Sequence, residues 1–102
     1  MVKIFYKVMP VKSEKAFLEA SKNVTNFNSS TGKRYKVLKV ENDVMSFTRL
    51  DADDSKVWEM NLSQLCKAYI ELEDFSTINF KPYVPITHSP GRGLLIHLKL
   101  IA

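Results

Sequence analysis

The stretch Arg34–Met60, RYKVLKVENDVMSFTRLDADDSKVWEM, decides the fold of this chain. It contains three segments rich in the β-branched and aromatic residues that half-buried pleated positions favour: Arg34–Val40, Val44–Leu50 and Lys56–Met60. Asn42-Asp43 separates the first two, and both residues tolerate the positive φ that a tight hairpin turn requires. Residues 51–55 provide the second turn. The stretch therefore predicts an antiparallel meander of three strands.

Upstream of the meander, the pattern predicts a strand, a helix and a loop. The strand is indicated by alternation of apolar and other residues over Val2–Val8. The helix covers residues 14–23, because Ser13 is suited to cap it and Glu14 places a negative charge where the helix dipole favours one. The polar stretch Thr25–Gly32 is predicted to be a mobile loop.

Downstream, Asn61 and Gln64 have the spacing of a capping box and predict a second helix. Acidic residues surround its C-terminal end, where they oppose the dipole, so this end is expected to fray or to contact a basic neighbour. Phe75–Ser89 is predicted to be irregular because of its prolines. Residues 90–102 fit either a strand or a helix; Ser89-Pro90 favours a helix, although two glycines weaken its first turn by about 1 kcal/mol each.

These elements predict one α+β domain over residues 1–102, with the order β-α-β-β-β-α, then the irregular segment and a C-terminal helix. A small, mostly antiparallel sheet should pack against the helices. The predicted core consists of Ile4, Tyr6, Phe17, Ala20, Val37, Phe47, Trp58, Leu65, Tyr69 and Leu98.

Composition narrows the class of protein. Cys66 is the only cysteine among 102 residues, so an intramolecular disulfide and a multi-cysteine zinc site are excluded. The first residues lack the apolar stretch of a signal peptide, and no apolar run approaches the ~18–20 residues of a membrane span. We therefore expect a cytoplasmic protein with no membrane partner.

The charges are unevenly distributed along the chain. Residues 1–40 contain nine Lys or Arg and two acids, whereas residues 41–80 contain three Lys or Arg and nine acids, within a net charge of +4. Such a split suggests a basic surface for a polyanion, or self-complementarity between copies. Mixing of the two halves by folding is the alternative.

The function hypothesis that these charges favour is a non-enzymatic binding module that contacts nucleic acid through a basic strand face. Cations would contact phosphates, and aromatic rings would stack on bases. This reading requires the first strand and the first strand of the meander to be neighbours. The candidate residues are Lys3, Phe5, Lys7, Lys33, Arg34, Tyr35, Lys36 and Lys39.

Two other readings remain open. An acidic protein surface, or a second copy of the chain in a homodimer, is the alternative partner, because the apolar C-terminus and the sheet edges suit an assembly module. A more remote alternative is a metal-dependent nuclease that uses Asp43, Asp54 and Lys56. Cys66, His88 and His97 form no recognisable catalytic or metal pattern, so we expect no cofactor, no metal and no catalytic residue.

Overall fold

A computed structural model describes residues 7–8, 13–29, 31–51 and 56–102. Within them, four strands form one antiparallel sheet in the order β1-β2-β3-β4, and helices pack on one of its faces. The chain is therefore an α+β fold, as predicted. The elements are α1 (Glu14–Lys22), β1 (Asn26–Asn28), β2 (Arg34–Glu41), β3 (Val44–Arg49), β4 (Val57–Asn61), α2 (Leu62–Glu71), α3 (Thr77–Phe80) and α4 (His88–His97).

The meander forms as predicted, with boundaries shifted by one residue. Asn42 and Asp43 connect β2 to β3 with φ values of 52° and 65°, so both adopt the left-handed conformation that favours a two-residue hairpin turn. The Leu62 amide at the start of α2 donates to the Asp43 carbonyl at 2.8 Å. The turn is thereby fixed to the element that follows the meander.

The prediction of a mobile loop over Thr25–Gly32 is wrong for its first half. Asn26–Asn28 forms β1, which pairs with the beginning of β2, and the Phe27 side chain is only 1% exposed. Sequence reasoning missed this strand because a single apolar residue between two asparagines carries little periodic signal. Burial of the Phe27 side chain in the core stabilises this strand although its local sequence pattern is weak.

The two predicted N-caps are confirmed. The Ser13 hydroxyl accepts the Ala16 amide at 3.1 Å, and the Asn61 side chain accepts the Gln64 amide at 3.0 Å. The acidic end of α2 has the expected basic neighbour, since the Lys7 ammonium group donates to the Ile70 carbonyl at 3.0 Å. A cation at the carbonyl end of a helix offsets the unfavourable acids there.

The C-terminal helix is also confirmed, although it begins at His88, with Thr87 as its N-cap, rather than at Pro90. The segment before it is less irregular than predicted because it contains the short α3. After α4, the Lys7–Ile101 bridge and the Val8 amide, which donates to the Leu100 carbonyl at 2.8 Å, form a small antiparallel contact. The rest of the predicted first strand lies outside the described residues.

The core fills the space between the sheet and the helices. Phe17, Phe47, Leu65 and Tyr69 are buried as predicted. Val37, Trp58 and Leu98 are half-buried against the core, and Ile4 and Tyr6 lie outside the described residues. Ala20 is exposed, so its assignment to the core is wrong. No helix in the described part of the chain has the length and apolar character needed to cross a membrane.

Candidate functional site

The face of the sheet opposite the helices carries mostly polar side chains. Its residues alternate along the strands with those that face the core, although Ser46 is itself buried, and no described helix packs on this face. Strand β2 contributes most of its charge. The face comprises Asn26, Asn28, Arg34, Lys36, Lys39, Glu41, Val44, Ser46, Thr48, Val57 and Glu59.

A β-bulge in β2 places the cations on this one face. Strict alternation would put Lys36 and Lys39 on opposite faces, because they are three residues apart. The register moves from Val37 opposite Phe47 to Lys39 opposite Ser46, so Leu38 is the extra residue. Lys39 consequently points to the same side as Lys36 and Arg34. The spacing of the inward valines, Val37 and Val40, is the sequence signal that could have revealed the bulge.

The surroundings of the cations differ along the strand. Lys36 lies between Asn26 and Thr48 on the adjacent strands, is exposed, and forms no ion pair with a described residue. Lys39 lies 3.3 Å from Glu41, with side chains 66% and 64% exposed. An ion pair that is this exposed contributes little to the stability of the fold and leaves the lysine available to a ligand.

Arg34 is held by Asp51. Its Nε and Nη2 donate to one carboxylate oxygen at 2.9 and 2.7 Å, and its backbone amide donates to the other at 3.0 Å. These hydrogen bonds lower the pKa of Asp51 and, with its negative charge, raise the pKa of Arg34. This Arg34–Asp51 ion pair joins the start of β2 to the end of β3 and partly neutralises Arg34.

The remaining candidate residues do not join this face. Tyr35 is 6% exposed and points into the core, where its ring centroid lies 5.3 Å from those of both Phe27 and Phe47. Its ring is thus not accessible for stacking on a base. Lys7 lies on the helix side, 5.5 Å from the centroid of the Tyr69 ring. Its strand neighbour is Ile101, not β2.

Lys33 is exposed in the turn before β2, at the end of the basic row. Lys3 and Phe5 lie outside the described residues. Of the eight candidates, the structure therefore brings together four: Lys33, Arg34, Lys36 and Lys39. Asn26, Asn28 and Thr48 beside them are additional hydrogen-bonding side chains that sequence reasoning missed, since their role depends on strand register.

The residues considered for catalysis are not assembled into a site. Asp43 precedes β3, while the Lys56 carbonyl contacts Thr48 near the other end of that strand. Six residues of strand separate these ends by about 20 Å, so Asp43 and Lys56 cannot share a metal ion. Asp54 is not among the described residues. No group of three or more His, Cys, Asp or Glu in the described ranges has a geometry suited to a metal ion.

Cys66 is a packed thiol in the buried stripe of α2. Its pKa is raised, chiefly by burial and further by the negative charge of Glu14. Both influences disfavour the thiolate, which is the nucleophilic form.

Comparison with known proteins identifies no relative. No protein-family model matches the chain, no curated protein is significantly similar to it, and no solved structure matches it.

Proposed function

We propose that the chain binds nucleic acid through the uncovered face of its sheet, as a non-enzymatic module. The observation that carries the proposal is the bulge at Leu38, which aligns Arg34, Lys36 and Lys39 on one exposed face. Lys33 extends this row at the end of the strand. Cations in a row attract the phosphates of a polyanion and release its condensed counterions.

The neighbours of the row indicate what kind of contact it makes. Asn26, Asn28 and Thr48 offer uncharged donors and acceptors, which fit phosphate and sugar oxygens. Among the described residues this face carries no aromatic ring, so base stacking has no platform there. We therefore expect contact with the phosphate backbone, weak dependence on base sequence and strong dependence on salt.

The test is a fluorescence-anisotropy titration of labelled duplex DNA and RNA at several salt concentrations. Reversing the charge in the double variant Lys36→Glu/Lys39→Glu should weaken binding and flatten the slope of log K against log salt by about 2, since each phosphate contact contributes about 0.9. The domain should stay folded, because both side chains are exposed and point away from the core.

Lys15→Glu/Lys81→Glu is the matched control. These lysines are exposed on α1 and directly after α3, away from the sheet face, and their replacement changes the net charge equally. The control should retain the wild-type salt slope. If both double variants lost the same affinity for nucleic acid, the effect would reflect net charge alone. Absence of binding by the wild-type protein at low salt would reject the proposal.

A protein partner is the second candidate, and the edge of β4 favours it. No described strand pairs with the outer edge of β4, and Val57 there is 52% exposed. Unpaired strand edges recruit further strands, including those of a second copy. Sedimentation velocity over a range of concentrations tests this reading: concentration-dependent dimerisation together with absent nucleic-acid binding would replace the first proposal with the second.

A further inference from the structure

A depression of about 300 Å³ lies on the uncovered sheet face where the row of cations ends, beside the turn from β2 to β3. Three neighbouring strands form it, because Lys39 lies opposite Ser46 and Ser46 lies opposite Glu59. Adjacent strands are about 4.8 Å apart, so the Cα atoms of Lys39 and Glu59 are separated by about 10 Å. The depression is lined by Lys39, Glu41, Asn42, Val44, Ser46 and Glu59.

The floor of the depression contains a hydroxyl group that the fold leaves without a partner. Ser46 is only 6% exposed, although no described helix covers this face, because Lys39 and Glu59 flank it on the adjacent strands. Its hydroxyl forms no hydrogen bond with another described residue and stays open to the depression that it lines. Buried polar groups ordinarily have a hydrogen-bond partner, so this hydroxyl is available to a ligand.

Two carboxylates frame the depression and restrict what it can accept. Glu59 is exposed and forms no ion pair with a described residue, whereas Glu41 lies 3.3 Å from Lys39. Negative charges repel phosphate, so a nucleic-acid backbone that follows the row of cations is not expected to continue past Lys39. The ligand group beyond Lys39 should be uncharged and should donate hydrogen bonds to a carboxylate.

The sugar at the 3′ end of an RNA strand has these properties. No phosphate follows it, and it carries adjacent hydroxyl groups at C2′ and C3′. Two adjacent hydroxyls can donate to the two oxygens of one carboxylate, and acidic side chains bind ribose hydroxyls in this way in nucleotide-binding folds. Val44 is half-buried beside Ser46 in the lining of the depression and offers an apolar contact to the sugar ring.

We propose that the depression binds the 3′-terminal ribose of an RNA strand, with Glu59 accepting hydrogen bonds from its 2′- and 3′-hydroxyls. Ser46 forms a hydrogen bond with the same sugar, and Lys39 contacts the last phosphate of the strand. The inference rests on the proposed function, since the row of cations has to hold the strand. It adds a preference for RNA over DNA, because DNA lacks the 2′-hydroxyl, and it requires no contact with a base.

The test compares two short oligouridines with a 5′ fluorescent label that differ only at the 3′ end, in anisotropy titrations at low salt. One ends in ribose and the other in 2′,3′-dideoxyribose, so their length, charge and bases are equal. The dideoxy end should weaken binding by about tenfold, because hydrogen bonds to a charged acceptor are lost. Equal affinities for the two oligouridines would overturn the inference and leave the proposed function intact.

Absence of binding by both oligouridines would also overturn the inference, and the duplex titration described above then decides whether the proposed function falls with it. Free uridine carries the same pair of hydroxyls without the strand. It should compete much more weakly than the ribose-ended oligouridine, because it makes no contact with the row of cations. Competition by uridine as strong as that of the oligouridine would contradict the assignment to a strand end.

Substitution of Glu59 assigns the effect to the depression. Glu59→Gln should reduce the tenfold difference between the two ends to about twofold or less, because the neutral amide has a single acceptor oxygen. The ratio of the two affinities is the readout, since removal of a negative charge strengthens the binding of any polyanion. Glu73→Gln is the matched control. Glu73 is exposed and follows α2, which packs on the other face of the sheet.

The control should keep the tenfold ratio, and an equal fall of the ratio in both variants would contradict the role of Glu59. Ser46→Ala removes the hydroxyl on the floor of the depression without a change of charge. It should reduce the ratio by about two- to threefold, because one hydrogen bond to the sugar is lost. An unchanged ratio in this variant, with the urea midpoint of the wild type, would show that the sugar does not reach the floor and would overturn the proposed site.

Discussion

Gly93 determines how closely α4 approaches the sheet. A Cβ atom built on Gly93 would lie 2.2 Å from the Asn28 carbonyl oxygen and 2.6 Å from the Ser29 Cα. Both are backbone atoms, which cannot move aside as the end of a side chain can. Glycine weakens the helix at this position, as the sequence indicates, but its lack of a side chain allows α4 to pack against β1.

We expect Gly93→Ala to destabilise the protein by at least about 3 kcal/mol, because the added methyl group overlaps backbone atoms. Gly91→Ala is the control in the same helix. Its Cβ would meet side-chain atoms instead, with Leu65 Cδ1 nearest at 3.0 Å. Repacking there should limit the loss to about 0–2 kcal/mol once the roughly 1 kcal/mol gain in helix propensity is included. Urea unfolding measures both, and equal losses would show that α4 can shift away from β1.

At the scale of an element, two characteristic hydrogen bonds close the C-terminal end of α4. The Leu100 amide donates to the Leu95 carbonyl at 3.0 Å, and the Lys99 amide donates to the Ile96 carbonyl at 2.9 Å. This pair of hydrogen bonds is a Schellman motif, whose left-handed position is usually glycine. Here Lys99 occupies it, with φ 61°. A lysine in this conformation is strained, and α4 ends there because Leu100 and Ile101 are buried beyond it.

Lys99→Gly should therefore stabilise the protein by about 0.5–1 kcal/mol, since glycine adopts the left-handed conformation without a Cβ clash. Part of the relieved strain is offset by the greater entropy of glycine in the unfolded chain. Lys99→Ala is the control for loss of the charge and should change the free energy of unfolding by less than the glycine variant does. A gain in the alanine variant equal to that of the glycine variant would attribute the effect to charge.

Elements with strong local signals were predictable from the sequence, and elements defined by pairing were not. The Asn42-Asp43 turn and the caps at Ser13 and Asn61 act within a few residues, so their chemistry is readable along the chain. Strand β1 depends on its pairing with β2, which its own three residues do not encode, and the bulge at Leu38 leaves only the spacing of Val37 and Val40 as a local signal. The candidate site follows the same division, because its lysines were identified but the face they share depends on the bulge.

At the scale of the whole molecule, folding only partly mixes the basic and acidic halves of the sequence. Arg34 from the basic half meets Asp51 from the acidic half, and Lys7 meets the end of α2. Lys33 and Lys36 form no ion pair with any described residue. Strand β2 and the turn before it thus keep positive side chains that no described acid neutralises.

The pKa shifts in the folded protein predict that its free energy of unfolding is nearly constant between about pH 5 and 8. Hydrogen bonds from Arg34 to Asp51, and from Ser76 to Asp74, lower the pKa of each carboxyl group. Their contributions are present above the ordinary carboxyl pKa of about 4 and are lost as the pH falls through the lowered values. Burial raises the pKa of Cys66 and Tyr69, so their contributions are lost as the pH rises above about 8.5 and 10 respectively.

Asp51→Asn should flatten the acid side of this profile, because the variant no longer gains a proton on unfolding at low pH. Urea midpoints measured from pH 2 to 7 provide the test. Arg34→Gln removes the two side-chain hydrogen bonds to Asp51 but keeps the one from the backbone amide, so it should flatten the profile less than Asp51→Asn, and the double variant should add little to Asp51→Asn. If the urea midpoint of Asp51→Asn fell with decreasing pH as steeply as that of the wild type, the Arg34–Asp51 ion pair would be absent in solution.

The two edges of the sheet are unequal, and this has a consequence for polymerisation. Strand β1 has three residues with α4 against its end, whereas β4 has five residues and an outer edge that no described strand occupies. When two copies join through β4, the edges that remain are those of the two short β1 strands, which offer a third copy only three residues each. At high concentration, association by strand addition would stop at a closed pair instead of elongating into fibrils.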